Sequence, residues 1–571
     1  MQSSNCVQAL PLEVVEDILV FLAIAGEFTS ISSFAQACRR LRQFVYDPTD
    51  NHLWHRIFLT TFDDPCIGLG EAQGAQRPFD WGEETRKRIQ ASLLLRPGHK
   101  GPEPGLRAPV HRLRSAEWEH PSEGDPLTDY SVPLRIVLSV FNNLAPLPRS
   151  SAPSSEDLIG QEGSFVREMS LVEADARSPL APPTVQGLWS SHLSRSILWL
   201  YSILNRGLPL ILPCRFAHSR IDKAWLHSEE SLALHKIIAL CGIQFLLNAH
   251  PDGPANEYNW RWKFKDRFQW PRLGEQGRRD LIKRLCQARV FQMDYPSVRR
   301  CWGPFLQAET YPQTAGSAKL PPVTPFSSYS TEDDEYQPSI GRRSLEPPAD
   351  KIYPDWVHLS AVRVVVESCL RSDDVFRDIL APLTDWSALR PGFWVPSNVD
   401  RSQQPLGNLS SLYERDWAGV EGVWQRCVVW LDYDNLVTQN YVDFGSNIEP
   451  IDEVVLIVPL TMKITGYSPS VIPGYEHLPD IRFEGEMGGA LWDLEQDIRR
   501  IHGTVSVIAD GSIRWSTYSS PAGDPEDDEW ASEGVQLGGI GSRCGILGLW
   551  TGASHDQQGE PIGAWWQWRV V

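Results

Sequence analysis

Six carboxylates, Asp480, Glu484, Glu486, Asp493, Glu495 and Asp497, crowd one stretch of the chain and are its first candidates for acid–base chemistry. General acid–base work needs two carboxyls held at one cleft in different surroundings. No motif fixes any two of these on a cleft, so a solvated acidic edge is the expectation. Gly538-Gly539-Ile540-Gly541 with Gly545 has the outline of a dinucleotide loop, but the flanks read as strands and no helix follows. Glycines serving bulges and close backbone approach explain it better. His235 and His250 each stand alone among aliphatic residues, which suits hydrogen-bonded core or boundary positions. The ten cysteines are scattered singly, with no Cys-x-x-Cys pair and no Cys/His spacing suited to zinc. No Ser/His/Asp or Cys/His signature is present. The expectation is no catalytic residue, no cofactor and no metal, hence a protein that is not an enzyme.

Lys+Arg of 53 against Asp+Glu of 72 leaves a net charge of −19, which disfavours nucleic acid as a partner. The segment Asn259 to Trp270, NWRWKFKDRFQW, is the best basic–aromatic run, yet its alternation fits a packed strand or loop. The apolar windows Ile197 to Leu212 and Ile237 to Leu247 are too short or too interrupted for a membrane span. The first residues, MQSSNCVQAL, lack a basic region followed by an apolar run. Single cysteines without pairs suggest reduced thiols, so cytoplasm or nucleus is expected, and the sequon at Asn408 then carries no glycan.

Those residues need elements to hold them. The 23 Trp and a 42% hydrophobic share argue for folded modules, and 44 Pro with 42 Gly for long connectors. From about Trp417 the hydrophobic period is two. GVWQRCVVWLDY, TQNYVDF, EVVLIVPL, MKITGY, DIRFEGEM, HGTVSVIA, SIRWSTYS, GILGLWTG and GAWWQWRV are short runs between turn residues. Asp510-Gly511 signals a two-residue hairpin turn that would set Ile508 opposite Ile513 and Ser506 opposite Trp515. Eight or nine locally connected strands close most economically into an antiparallel barrel, with a sandwich as the alternative. Gly419-Val420-Glu421-Gly422-Val423-Trp424 is similar to the Gly-x-Trp signature opening lipocalin-type barrels. Trp424, Trp515, Trp550, Trp566 and Trp568 are candidates for a pocket, although Trp566 and Trp568 share one strand face and Trp565 takes the other.

At the other end, Val15, Ile18, Leu19 and Leu22 fall on one stripe of a helix with Pro11 in its first turn. A second helix is expected from a Thr29 or Ser30 cap through Phe34 and Cys38 to Val45, and a third, capped by Asp50, carries Leu53, Trp54, Ile57 and Phe58. The order Leu10-Pro11-x-Glu13, Ile18-Leu19-x-x-Leu22, Phe34-x-x-Ala37-Cys38-Arg39-Arg40-Leu41, Asp47-Pro48 and Leu53-Trp54-x-Arg56 resembles the F-box, the helical module that docks substrate receptors on the Skp adaptor of cullin-based ubiquitin ligases. Leu41 stands where that family often has Trp, and the loop Ala25 to Thr29 is slightly long. The resemblance implies an adaptor-facing set of Leu10, Pro11, Ile18, Leu19, Leu22, Phe34, Leu41 and Trp54, some of which must instead fill the module's own core. The whole-chain arrangement looks like the large F-box proteins of filamentous and mushroom-forming fungi.

The expected architecture is multidomain α+β. An F-box over 1–66 precedes a partly helical region with Pro/Gly/Ser-rich loops over 67–184. Then come an α-helical domain over 185–400, interrupted by a disordered insertion near 312–350, and a β-barrel-like domain over 401–571, with no repeat period of 20 to 50 residues. The implied function is that of a non-catalytic substrate receptor, which binds the Skp adaptor and through it a cullin, and captures a protein substrate through the helical or β region. The competing reading is a lipocalin-like barrel for a small apolar molecule, joined to an adaptor-binding helical module.

Overall fold

The computed structural model describes residues 10–46, 51–65, 79–97, 129–146, 194–218, 223–248, 274–295, 303–307, 348–372, 374–392, 416–441, 451–488, 498–521, 528–553 and 561–570. The Pro-rich segments, the 312–347 insertion, Asn259 to Trp270, Asp47, Pro48, Asp50, His250, Asn408, Asp493, Glu495 and Asp497 lie outside them. The chain divides into two compact units. One holds residues 1–216, 244–271 and 389–393, and the other holds 217–243, 272–388 and 394–571. The helices of 217–243 and 272–388 therefore belong with the β-domain.

In the first unit, α1 (Leu12–Ile24), α2 (Phe28–Gln36), α3 (Arg39–Tyr46) and α4 (His52–Thr61) close a small core on Val15, Leu19, Ala23, Ile31, Ala35, Leu41, Val45, Leu53, Trp54 and Ile57. The expected second helix is two, because the chain breaks between Gln36 and Arg39. Residue 51, an Asn, precedes α4. The buried stripe of α1 is Val15, Leu19 and Ala23, spaced four apart; Ile18 is turned outward. Helix α5 (Trp81–Leu94) starts on an Asp80 cap that accepts from the Glu83 amide at 2.9 Å. A Cβ at Gly82 would meet the Trp54 ring at 3.0 Å, so glycine there lets α5 close on α4. Helices α6 (Ser131–Asn142) and α7 (Arg195–Leu204) complete this unit's longer helices among the described residues, α7 being capped by Ser194.

In the second unit, a short pair, β1 (Phe305–Gln307) with β2 (Ile352–Pro354), and the helices α8 (Glu229–Cys241), α9 (Glu275–Val290) and α10 (Trp356–Ser372) accompany a closed barrel. Its strands are β3 (Gly422–Trp430), β4 (Val454–Ser468), β5 (Asp480–Met487), β6 (Arg499–Val507), β7 (Ile513–Pro521), β8 (Trp530–Gln536), β9 (Ile546–Gly552) and β10 (Ile562–Arg569). Each pairs antiparallel with the next in sequence and β10 returns to β3, so the meander has no free edge. The barrel thus follows the first of the two expected β architectures.

Three strand expectations change. EVVLIVPL and MKITGY form one 15-residue strand with a bulge between Ile464 and Gly466. The described part of TQNYVDF, Thr438 to Tyr441, ends a helix, Tyr433–Tyr441, which opens where the Asp432 carboxylate accepts the Asn435 amide at 2.9 Å; the rest of that run lies outside the described residues. At the Asp510-Gly511 hairpin the pairs are Val507↔Ile513 and Val505↔Trp515, one residue off the expected register. The Gly511 amide donates to the Ile508 carbonyl at 2.8 Å, the Ile508 amide to the Ser512 carbonyl at 3.0 Å, and Gly511 takes φ +81°. That longer loop with a left-handed glycine shifts the partner by one.

Candidate functional site

The barrel interior is built by strand parity. Trp424, Leu460, Met462, Ile481, Phe483, Ile501, Val505, Val507, Ile513, Trp515, Ile546 and Trp565 point inward and make one core with Trp417 and Val420. Trp424 and Trp515 meet edge to face at 5.4 Å at the end where β3 begins, and the Trp424 Nε1 donates to the Val420 carbonyl at 2.9 Å. These two of the pocket candidates plug the barrel. Trp550 also faces inward, toward the other end, where its ring lies 5.1 Å from Trp530 and 6.5 Å from Trp430.

Trp566 and Trp568 are a correction: they lie on the outer face. Trp566 packs under the Arg363 guanidinium of α10 at 4.0 Å, and its Nε1 donates to the Cys544 carbonyl at 2.8 Å. The cause is the fixed alternation of β10, which aims Trp565 and Gln567 inward. Helix α10 is buried nearly all round and brings Arg363 onto that outer face paired to Glu367 at 2.9 Å. Burial opposes the Glu367 charge, but Arg363 and Arg371 outweigh it and hold the carboxyl below its ordinary 4.5. A Cβ at Gly242 would stand 2.5 Å from the Glu367 Oε2, so the glycine ending α8 leaves room for this pair.

Within the lumen the Trp565 ring is seated on two glycines, Gly534 and Gly548, which are register partners across β8 and β9. A Cβ on either would come within 2.6 Å of the ring. Over the ring lies Arg426, its guanidinium carbon 4.6 Å from the centroid. Arg426 donates through Nε to Gln567 Oε1 at 2.8 Å and through Nη1 to Ser532 Oγ at 3.3 Å. It is only 4% exposed and has no carboxylate partner among the described residues. Burial alone pushes its guanidinium down to about 9, and it stays cationic at neutral pH. Ser532 in turn pairs in register with Trp550, whose indole N–H is enclosed without an acceptor. A side chain at Gly563 would collide with that indole, the ideal Cβ falling 2.3 Å from its Nε1.

Neither Arg426 nor Ser532 stood among the sequence candidates. The signal for Arg426 was its spacing: two residues past Trp424 on one strand puts both on one face. Strand β8 carries Ser532, Gly534 and Gln536 inward, small or polar residues that give no apolar alternation. Among the described acidic candidates, Asp480, Glu484 and Glu486 alternate with the inward Ile481 and Phe483 and so do not point into the lumen. Glu484 and Glu486 are exposed, and Asp480 stands at the start of β5, where burial pushes its carboxyl up to about 6. His235 is a core residue whose Nδ1 lies 2.7 Å from Ser360 Oγ, and Gly538, Gly541 and Gly545 take positive φ in the turn between β8 and β9.

In the helical unit the adaptor-facing candidates divide. Leu19, Leu41 and Trp54 are core, and the Trp54 Nε1 donates to the Val45 carbonyl at 2.6 Å. Leu10, Leu22 and Phe34 are half-buried against that core. Pro11 and Ile18 are exposed, and Val14 and Phe21 join Ile18 on the side of α1 away from its buried stripe, while Leu12 and Ile24 are exposed at its two ends. Phe21 is 70% exposed.

Among the described residues no group of three metal-ligating side chains occurs and no helix is long and apolar enough to cross a membrane. No family model, no curated protein and no solved structure matches the chain.

Proposed function

We propose that the chain is the substrate-recognition subunit of a Skp–cullin–F-box ubiquitin ligase. The observation that carries this reading is the open apolar side of α1, where Val14, Ile18 and Phe21 recur at helical spacing opposite the buried stripe of Val15, Leu19 and Ala23. A helix this short gains little from leaving Phe21 in water, whereas a partner groove covering the stripe would recover its burial. The occupant is a Skp-type adaptor, as the Leu10 to Arg56 motif implies. The protein's contribution to ubiquitin transfer is proximity: it holds substrate lysines beside a separate charged enzyme, and no side chain here makes or breaks a bond.

The test is co-purification of a Skp adaptor with the full chain and with an Ile18→Asp/Phe21→Asp variant. Both substitutions lie outside the helical core, so the variant keeps its helical signal while losing the adaptor. Retention of the adaptor by the variant, or no adaptor with the parent, overturns the reading.

A further inference from the structure

Closure leaves the meander no edge strand, but β4 outruns one of its neighbours. Strand β3 pairs along residues 454–462 of β4, whereas the β5 ladder stops at Leu460↔Met487. One bond follows, from the Gly488 amide to the Pro459 carbonyl at 3.0 Å. Backbone groups of alternate residues in a strand point to the same side, so the N–H and C=O of Val455 and Ile457 take the direction of the Pro459 carbonyl, away from β3. Neither residue makes a backbone bond on that side among the described residues. This part of the strand also reaches solvent: Val454 is 42% exposed, and Val455, Leu456 and Ile457 are half-buried. An open edge made of an uncharged, largely β-branched run is a template for another strand. Pro459, with no N–H to offer, stands where the chain's own ladder ends.

We propose that residues 454–458 of β4 receive an extended, basic-flanked segment of the protein substrate as an added strand. This rests on the substrate-receptor reading and names what the receptor grips. Bonds to the main chain of Val455 and Ile457 supply affinity, and the alternating side chains, all apolar, select an apolar partner strand. Charge selects the occupant. Lys283 is committed to Glu453 at 2.8 Å, so the exposed Asp452 leaves the approach to the edge negative. A second copy of the chain would bring the same carboxylate and its own net charge of −19, and residues 489–497 of this chain carry Asp493, Glu495 and Asp497. Both are repelled, whereas a β-forming segment flanked by Lys or Arg is attracted.

The experiment is fluorescence polarisation of the full chain, without adaptor, against the labelled peptide Lys-Val-Thr-Ile-Thr-Val-Lys. The peptide binds, and N-methylating one alternate set of its amides weakens it about tenfold while methylating the other set does not, because only one set faces the edge. Replacing both Lys by Glu weakens it about threefold to tenfold. Ile457→Pro removes an edge N–H, and Val454→Lys sets a like charge at an exposed position; each lowers affinity about threefold or more. Hydrogen exchange of the free chain, resolved amide by amide, finds Val455 and Ile457 fast beside slow Leu456 and Val458, and the peptide slows them. The Ile18→Asp/Phe21→Asp variant binds the peptide as the parent does, so the adaptor reading and this one fail separately. Slow Val455 and Ile457 amides in the free chain would mean that residues 489–497 or a second copy already cover the edge. That result, no binding at millimolar peptide, equal loss from both methylated peptides, or unchanged binding by both edge variants overturns the proposal.

Discussion

Trp565 and Arg426 lie face to face inside the barrel, 4.6 Å apart, and each explains the residues around the other. The ring needs Gly534 and Gly548 beneath it, and the cation needs the neutral oxygens of Gln567 and Ser532 beside it.

The seat of Trp565 is open to a direct test. Gly548→Ala puts a methyl within 2.6 Å of the ring and 2.1 Å of the Glu533 carbonyl, so ring or backbone must shift. Destabilisation of about 1–3 kcal/mol is expected by urea denaturation. Gly466→Ala serves as the control, because its Cβ would meet nothing closer than 3.9 Å, and it should leave the midpoint nearly unchanged.

The two sides of α1 should respond differently to truncation. Leu19→Ala opens a cavity in the helical core and costs about 2–5 kcal/mol. Ile18→Ala, at a position 39% exposed, should stay within about 0.5 kcal/mol while weakening adaptor capture. Thermal unfolding paired with the co-purification assay separates the two effects.

Glu367 ties its pair to low pH. Its carboxyl is held below 4.5, so in that region the unfolded chain binds the proton more readily. The pair's contribution is complete above about pH 4.5 and is lost as pH falls through the folded value. Glu367→Gln leaves Arg363 enclosed without its counter-charge and should cost about 3–5 kcal/mol at neutral pH, with a smaller gap in acid, as read from denaturation at several pH values.

Asp480 behaves in the opposite sense. Burial raises its carboxyl from 3.8 to about 6, so the folded chain holds the proton more tightly and stability rises as pH falls through about 6. Asp480→Asn should therefore stabilise the protein by about 1 kcal/mol near pH 8, a figure reduced for solvent screening, and the gain should fade toward about pH 4. A constant gain across that range would refute the assignment.

The barrel was legible because inward and outward residues alternate along most of its strands, and the helical core because its apolar residues recur at three and four. Strand β8 was missed for a physical reason: its inward positions must be small or polar to host Trp565 and Arg426, and that erases the apolar alternation. Thr438 to Tyr441, read as the start of a strand, instead end the helix Tyr433–Tyr441, because so short a run matches both periods and the Asp432 cap decides between them.

By itself, then, the sequence determined the periods, the turns and the parity within each strand, which are local properties of the backbone. It could place Trp566 and Trp568 on one face but not say which face looks inward, since both faces of β10 are buried, one by the lumen and one by α10. Only closure of the sheet and docking of α10 chose the direction. The same closure shut Arg426 away with Trp565, because a side chain's surroundings are set by strands far apart in the chain.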